Sequence, residues 1–396
     1  MTSTGVEFDH LSPEIAGPNY WHALRTLADH GPMTWVESNG GFWAATSYDT
    51  VLEVLQHWQT FTSTGGVSLT RPSFDMLPVI VPIELDPPRQ RAYRSQVQPH
   101  LTSRSLAPLA SEIRGIADEL IDTFVDRGRC DIAVDFARKF PGTVLFRLVF
   151  HATDDDFRSA EPASRILSFS PNQQETSAAA AALRAWAGEF MASREAFPDI
   201  DDVVNAVMHL NDTDEEFVDS DLMSGLQILI QGGIGTSASA IGVTVRVLCE
   251  HPDLQEQVRG DLSLVPALVE ECLRLETPLP LMFRTARHDV EVAGEHIKAG
   301  DKVGVFLGAA NRDPAVFDRP DEVVLDRPHN RHLTFGAGPH RCVGSNLARL
   351  QIQIAMTCLL ERLDNIGLQD GAHVEYFSLQ ARGPSSVPIQ FDPVPA

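Results

Sequence analysis

The chain is poor in cysteine and in positive charge. Five cysteines, Cys130, Cys249, Cys272, Cys342 and Cys358, are spread over 396 residues. Their number is odd and no two form a CxxC pair. A disulfide framework or a zinc site is therefore not expected, and a reducing cytoplasm is the default compartment. Lys and Arg number 31 against 54 Asp and Glu, a formal net charge of −23. That imbalance disfavours nucleic acid and anionic membrane surfaces as partners. A protein partner would be met through a local basic patch. No run offers the roughly 18 consecutive apolar residues needed to span a bilayer. The N-terminal residues 1–11 lack the basic start and apolar stretch of a signal peptide. No internal repeat or long low-complexity tract is visible. What is present is an ordinary globular composition, 43% hydrophobic and 21% charged.

The periodicity predicts a mostly helical chain with a small β portion. A first helix is expected over 18–30. Segments 33–36 and 41–46 flank Asn39-Gly40, a dipeptide that favours a hairpin turn, and a helix over 48–57 follows. The stretch 61–85 is a long, partly apolar loop of the kind that forms a lid or pocket wall. It carries Phe74, Val79, Ile80 and Val81. Asp86-Pro87-Pro88 sets up the next helix, and helices with short breaks continue to about residue 195, among them 104–126 and 136–150. An exposed amphipathic helix is expected over 172–196, and a long apolar one over 220–250. Short strands are expected at 281–283, 290–292, 296–297 and 302–306, with turns at Ala293-Gly294 and Ala299-Gly300. The tail from 374 returns to strand-like alternation.

The most informative stretch is Phe335-Gly336-Ala337-Gly338-Pro339-His340-Arg341-Cys342-Val343-Gly344. Glycine lets the backbone turn sharply and approach a flat ligand. A helix-like run, 347–360, follows directly, so Cys342 sits at the positive end of a helix dipole, which favours thiolate. A thiolate beneath a flat prosthetic group is what an axial haem ligand requires. The decapeptide resembles the haem-binding loop of the cytochrome P-450 family, Phe-Gly-x-Gly-x-His/Arg-x-Cys-x-Gly, at every fixed position: Phe335, Gly336, Gly338, His340, Cys342 and Gly344. The alternative is a cysteine buried in a turn for packing alone.

Further motifs carry the same resemblance. Glu271-Cys272-Leu273-Arg274 places Glu271 and Arg274 on one helix face and looks like the family's Glu-x-x-Arg helix. The family adds a second arginine before the haem loop; Arg327 is the first candidate and Arg319 the second. Arginine's planar fork suits the two haem propionates. The resemblance implies Arg284, His332 and Arg94 as their partners. Gln90 replaces the histidine of the family's Asp-Pro-Pro-x-His-x-x-x-Arg segment, which weakens or replaces one contact. In Gln231-Gly232-Gly233-Ile234-Gly235-Thr236, glycines in mid-helix cost about 1 kcal/mol each; close approach of haem and oxygen at Gly232 and Gly233 is one reason for them, and closer helix packing is the other. Thr236 matches the threonine whose hydroxyl meets dioxygen. Gly235 stands where the family has an acid that relays protons. Water or Ser237 could serve instead, proton delivery could be slow, or the oxidant could differ.

The resemblance covers 86–388 and implies a mainly α fold with a smaller β portion: a triangular helical prism. Haem b (iron protoporphyrin IX) would lie between the long central helix and the Cys-loop helix. One unit over 1–396 is expected, its β portion drawn from 31–47, 280–308 and 374–392. The implied activity is monooxygenation of a small hydrophobic substrate (terpenoid, steroid, fatty-acid-like or aromatic) with O2 and electrons from a ferredoxin system, in a cytoplasmic monomer. The substrate-wall candidates are Phe74, Val79, Ile80, Val81, Leu229, Leu281, Met282, Phe283 and Phe377. Two alternatives stay open: altered oxygen chemistry, such as peroxide-driven turnover, and haem binding without turnover.

Overall fold

The computed structural model describes residues 5–10, 12–15, 17, 19–69, 79–170, 172–197, 199–213, 215–378 and 381–394. The first half contains α1 (Asn19–Ala28), β1 (Met33–Val36), β2 (Phe42–Ala45), α2 (Tyr48–Gln56), β3 (Phe61–Thr62), α3 (Arg89–Val97), α4 (Ser103–Leu106), α5 (Ala110–Asp122), β4 (Arg129–Asp131), α6 (Phe140–Val144), α7 (Asp154–Phe169) and α8 (Gln173–Arg194). The second half contains α9 (Val203–Met208), α10 (Asp219–Glu250), α11 (Pro252–Gly260), α12 (Val265–Leu275), β5 (Met282–Ala286), β6 (Val290–Val292), β7 (Glu295–Ile297), β8 (Lys302–Val305), α13 (Leu307–Ala310), α14 (Ser345–Arg362), β9 (Leu363–Leu368), β10 (Glu375–Ser378), β11 (Arg382–Ser386) and β12 (Pro388–Pro393).

Local chemistry sets most boundaries. Ser47 caps α2, Thr153 and Asp156 form a capping box on α7, and Asn172 and Asp202 cap α8 and α9. The continuous helix expected over 104–126 is broken at Ala107-Pro108, because Pro108 has no N–H to continue the ladder. The one expected over 136–150 keeps an α core only at α6, between wider π-type turns at Ala133–Ala137 and Leu145–Val149.

Helix α10 is the axis of the helical body. It packs against α6, α7, α8, α12 and α14, and from Ser237 to Leu248 every residue is buried. By length and composition it could cross a membrane, but most of it lies inside the protein, as a core helix does. Helix α8 covers the body as expected: Ala179, Leu183, Ala187 and Phe190 face in, and Ala178, Ala181, Ala182 and Ala185 face out.

The main sheet joins both ends of the chain. Its strand order is β1-β2-β8-β5-β3. The expected hairpin at Asn39-Gly40 forms, with Trp35 opposite Trp43. The second half then adds β8 parallel to β2 and β5 antiparallel to β8. Two apolar clusters cover its two faces. Met33, Trp43, Val303 and Val305 belong to one; Phe8, Phe42, Phe283 and Phe306 belong to the other. Strands β4 and β9, not expected from the sequence, flank β12. The hairpin β10–β11 lies directly on α10.

Candidate active site

The loop before α14 is shaped by its glycines. Gly336 and Gly338 have φ of 68° and 66°, a region L side chains rarely adopt. A Cβ on Gly338 would stand 2.4 Å from the carbonyl oxygen of Leu55. The loop closes when Cys342 N donates to the carbonyl of Phe335 at 2.7 Å. Gly344 then caps α14. Cys342 lies deep among protein atoms yet is the one exposed cysteine. It therefore faces an internal cleft, and its accessibility measures that cleft.

The helix-end effects on Cys342 act in the expected direction but are opposed by burial. Burial pushes the Cys342 thiol above its ordinary value and outweighs the Gly344 N–H and the charges of Arg94, Arg341 and Arg349, which pull it down. The helix end is thus insufficient alone. A bound metal cation would complete the deprotonation.

Cationic and donor groups gather around the Cys342 loop. Arg284, on β5, is 3% exposed. Its recorded hydrogen bond goes to the neighbouring Phe283 carbonyl at 2.8 Å, and among the described residues no carboxylate pairs with it. Burial depresses its pKa to about 10, against the field of Asp86. A buried guanidinium without an anion is a costly arrangement unless a ligand supplies one. Arg94 donates to the Arg341 carbonyl at 2.6 Å and to Gln98 at 3.2 Å, again with no carboxylate. His340 lies 3.9 Å from the Asp86 carboxylate and 3.2 Å from Ser63 Oγ, within the fields of Arg284 and Arg94. Asp86 anchors this side: its carboxylate accepts from Thr62, Ser63 and Arg287.

Two expected propionate partners are otherwise engaged. His332 Nε2 meets Glu270 at 2.9 Å and its Nδ1 accepts from Thr334 N at 3.2 Å, so both ring nitrogens are taken. Gln90 is buried and donates to the Pro339 carbonyl at 2.6 Å. It fastens the loop backbone. Phe335 likewise supports the loop, with the Arg349 guanidinium 4.3 Å from its ring.

Behind the loop lies an ionic hub. Glu271 accepts from Arg274 at 2.8 and 2.9 Å, from Arg327 at 2.9 and 3.2 Å, from Asn330 at 2.9 Å and from Val324 N at 2.8 Å. Arg327 thus fills the role for which Arg319 was the second candidate. Arg274 is fully buried and also donates to the carbonyls of Asn311, Pro320 and Glu322. Glu270 was missed from sequence. It pairs with Arg349 of α14 at 2.7 and 2.9 Å. Burial would raise its carboxyl, but His332 and Arg349 hold it at about 2. Two successive glutamates fasten both the segment before the loop and the helix after it.

On α10, nothing lies within 4 Å of a Cβ built on Gly232, so this face of the helix is open. Thr236 donates to the Gly232 carbonyl at 2.8 Å, and Leu229 shares the face. Three expectations are corrected. Gly233 points to Leu145, 3.1 Å from its Cβ position. Ser237 is buried and accepts from Gln351 of α14 at 2.8 Å, which ties helices together and removes it from any relay. Gly235 is covered by Ser168 and Phe169, 3.1 and 3.2 Å from its Cβ position, so a side chain there would fit only if these neighbours shifted.

The apolar walls divide. Val79 is partly exposed, Ile80 half-buried and Val81 fully buried; Ser224 of α10 bonds Val81 N and the Val79 carbonyl at 3.1 and 3.0 Å. Leu281 and Phe283 are core residues on the sheet face shared with Phe42 and Phe306. Strand alternation leaves Met282 and Arg284 on the other side. Phe377 stacks on Phe169, a residue sequence reasoning did not select. Phe74 lies outside the described residues.

A family model, Cytochrome P450, matches residues 157–371. The chain is 32% identical to cytochrome P450 126 of Mycobacterium tuberculosis over 371 residues, 90% of this chain and 87% of that protein. The chain belongs to the cytochrome P450 family. It is also similar to the steroid C26-monooxygenase of Mycolicibacterium smegmatis, 28% identical over 94% of this chain and 92% of that one. A cytochrome P450 structure from Chondromyces apiculatus superposes with a TM-score of 0.85 at 28% identity, covering 98% and 99% of the two chains. One from Novosphingobium aromaticivorans gives 0.81 at 27%, covering 95% of each. The fold is thus the mainly α P450 fold, and the protein is a P450 monooxygenase that takes haem, O2, a substrate and a redox partner. The residues fit haem: one exposed cysteine for the iron, and buried Arg284 with half-buried Arg94, neither paired with a carboxylate among the described residues, for the propionates.

Proposed function

We propose that this P450 inserts one oxygen atom of O2 into a small apolar organic molecule, as a cytoplasmic monomer using haem b and a ferredoxin-type electron donor. One observation carries the reading: the exposed Cys342 lies in the field of Arg94, and buried Arg284 stands near His340 of the same loop, both arginines without a carboxylate among the described residues. Haem held there supplies oxygen activation, helped by electron donation from the thiolate. The protein's own groups do the rest. Cys342 holds the iron, while Arg284, Arg94 and His340 orient the propionates. Thr236 keeps a hydroxyl at the open face of α10, fixed by the Gly232 carbonyl, where it can hand on a proton. Leu229, Met282 and Phe377 offer apolar surface to the substrate and keep bulk water out.

The donor's docking place is supported by a groove of about 1,000 Å³ beside the Cys342 loop, lined by Gln56, Trp58, Arg91, Arg94 and Arg341 among others. A cationic groove on a chain of net charge −23 suits an acidic partner. The test is a carbon monoxide difference spectrum, then turnover with a ferredoxin and its reductase. A thiolate-type band and donor-dependent product are expected; an imidazole-type band would refute the ligand assignment. Peroxide-driven turnover is the second reading, favoured by the glycine at position 235, which supplies no acid and is crowded by Ser168 and Phe169. Product from peroxide alone, with none from the ferredoxin system, would select it.

A further inference from the structure

Strand β3 is an edge of the main sheet and lies beside β5, with Phe61 opposite Ala286 and Thr62 opposite Thr285. Arg287 follows β5, its N–H donating to the Thr60 carbonyl at 2.8 Å. One carboxylate sits at this junction. Asp86 is buried, as are Thr62 and Ser63. It accepts from Thr62 Oγ1, from Ser63 N at 3.2 Å and from Arg287, and lies 3.9 Å from His340 Nε2. Burial would raise its carboxyl, but His340, Thr62, Ser63 and Arg287 hold it well below its ordinary value. Asp86 is therefore a fixed anion at neutral pH.

Its surroundings are the groups that fit the propionates. His340 is its neighbour, and among the described residues Asp86 is the one carboxylate whose field acts on buried Arg284. Its ion-pair partner stands differently: the Arg287 side chain is 44% exposed. Water screens that cation while the carboxylate stays dry, so the pair does not cancel inside the protein. We propose that Asp86 is a positioning residue that acts through His340 and Arg284. It holds a net negative charge beside the propionate cations and so favours ferric over ferrous haem, because a buried anion opposes the arrival of an electron. Arg287 sets how much of that field survives. The ease with which the protein takes its first electron is thus tuned by an ion pair at the sheet edge. This proposal deepens the P450 reading and rests on it.

The test is a spectroelectrochemical titration of the haem-loaded, full-length protein. Asp86→Asn keeps the size of the side chain and one accepting oxygen, and removes the charge. At the wild-type midpoint potential its ferrous-to-ferric ratio should rise roughly three- to tenfold, the worth of one partly screened charge. Arg287→Gln removes the opposing cation, and the ratio should fall about twofold, as suits a half-exposed group. Arg287→Lys keeps the charge and should stay near wild type. Mere loosening of the site cannot give opposite shifts from the two members of one ion pair. An unchanged ratio in Asp86→Asn, or a shift of the same sign in Asp86→Asn and Arg287→Gln, would overturn the proposal. Should Asp86→Asn fail to hold haem, Arg287→Gln decides alone: a ratio that does not fall overturns it. The carbon monoxide spectrum of the same samples is read separately. An imidazole-type band with the opposite shifts would refute the thiolate assignment and leave the role of Asp86 standing; a thiolate-type band without them would do the reverse. A wild-type protein that takes up no haem would refute both.

Discussion

Glu271→Gln alters one atom and one charge at the hub behind the Cys342 loop. In the native protein the carboxylate accepts six hydrogen bonds, from Arg274, Arg327, Asn330 and Val324. Glutamine keeps one carbonyl oxygen. Its NH2 would face donors, whether Arg274, Arg327 and Val324 N on one side or Arg274, Arg327 and Asn330 on the other. Two buried guanidinium groups would also lose their counter-charge. Breaking a buried pair in this way costs about 3–5 kcal/mol, a large part of a typical 5–15 kcal/mol stability. The carboxyl's folded pKa lies below its ordinary 4.5: burial raises it, but the hydrogen bonds from Arg274 and Arg327 win. Its contribution is therefore full above about pH 4.5 and lost as pH falls through the folded value. Urea denaturation of wild type and Glu271→Gln from pH 7 downward checks this. The gap should be several kcal/mol at neutral pH and should close in acid. A gap below about 1 kcal/mol at pH 7, or one independent of pH, would refute the reasoning.

Other outcomes test separate parts of the site. Cys342→Ala should abolish the thiolate-type carbon monoxide band while far-ultraviolet circular dichroism stays helical. Arg284→Gln should weaken haem retention roughly tenfold or more, since a charged hydrogen bond contributes about 1.5–3 kcal/mol; haem transfer to apomyoglobin measures it. Gly338→Ala should cost at least the ~1–2 kcal/mol of a left-handed residue with a Cβ and displace the loop from Leu55, lowering haem content and thermal midpoint together. Ser237→Ala should cost about 1–3 kcal/mol by leaving Gln351 without its acceptor, yet leave the ratio of product to electrons consumed unchanged. A changed ratio would return Ser237 to the proton path.

Much of the chemistry was written in short-range sequence. The Cys342 loop, Glu271 with Arg274, and the hairpin at Asn39-Gly40 depend on neighbours a few residues apart, where spacing fixes geometry. Arg327 was also legible, because the segment it occupies leads directly into the loop. The roles decided by packing were not legible. Whether His332 turns to a propionate or to Glu270, whether Gln90 meets a ligand or the Pro339 carbonyl, and whether Ser237 faces the cleft or α14 depends on how separate helices are rotated against one another. The same holds for Leu281 and Phe283, which strand alternation sends to the core face opposite Arg284. Phe169 carried no signal in its own stretch. Its stack on Phe377 arises only where α7, α10 and β10 meet, and local sequence cannot encode a contact between elements so far apart in the chain. Sequence alone determined which residues could hold an iron and its ring; the tertiary structure decided which side chains face that space, because burial, rotation and competing partners are properties of the assembled chain.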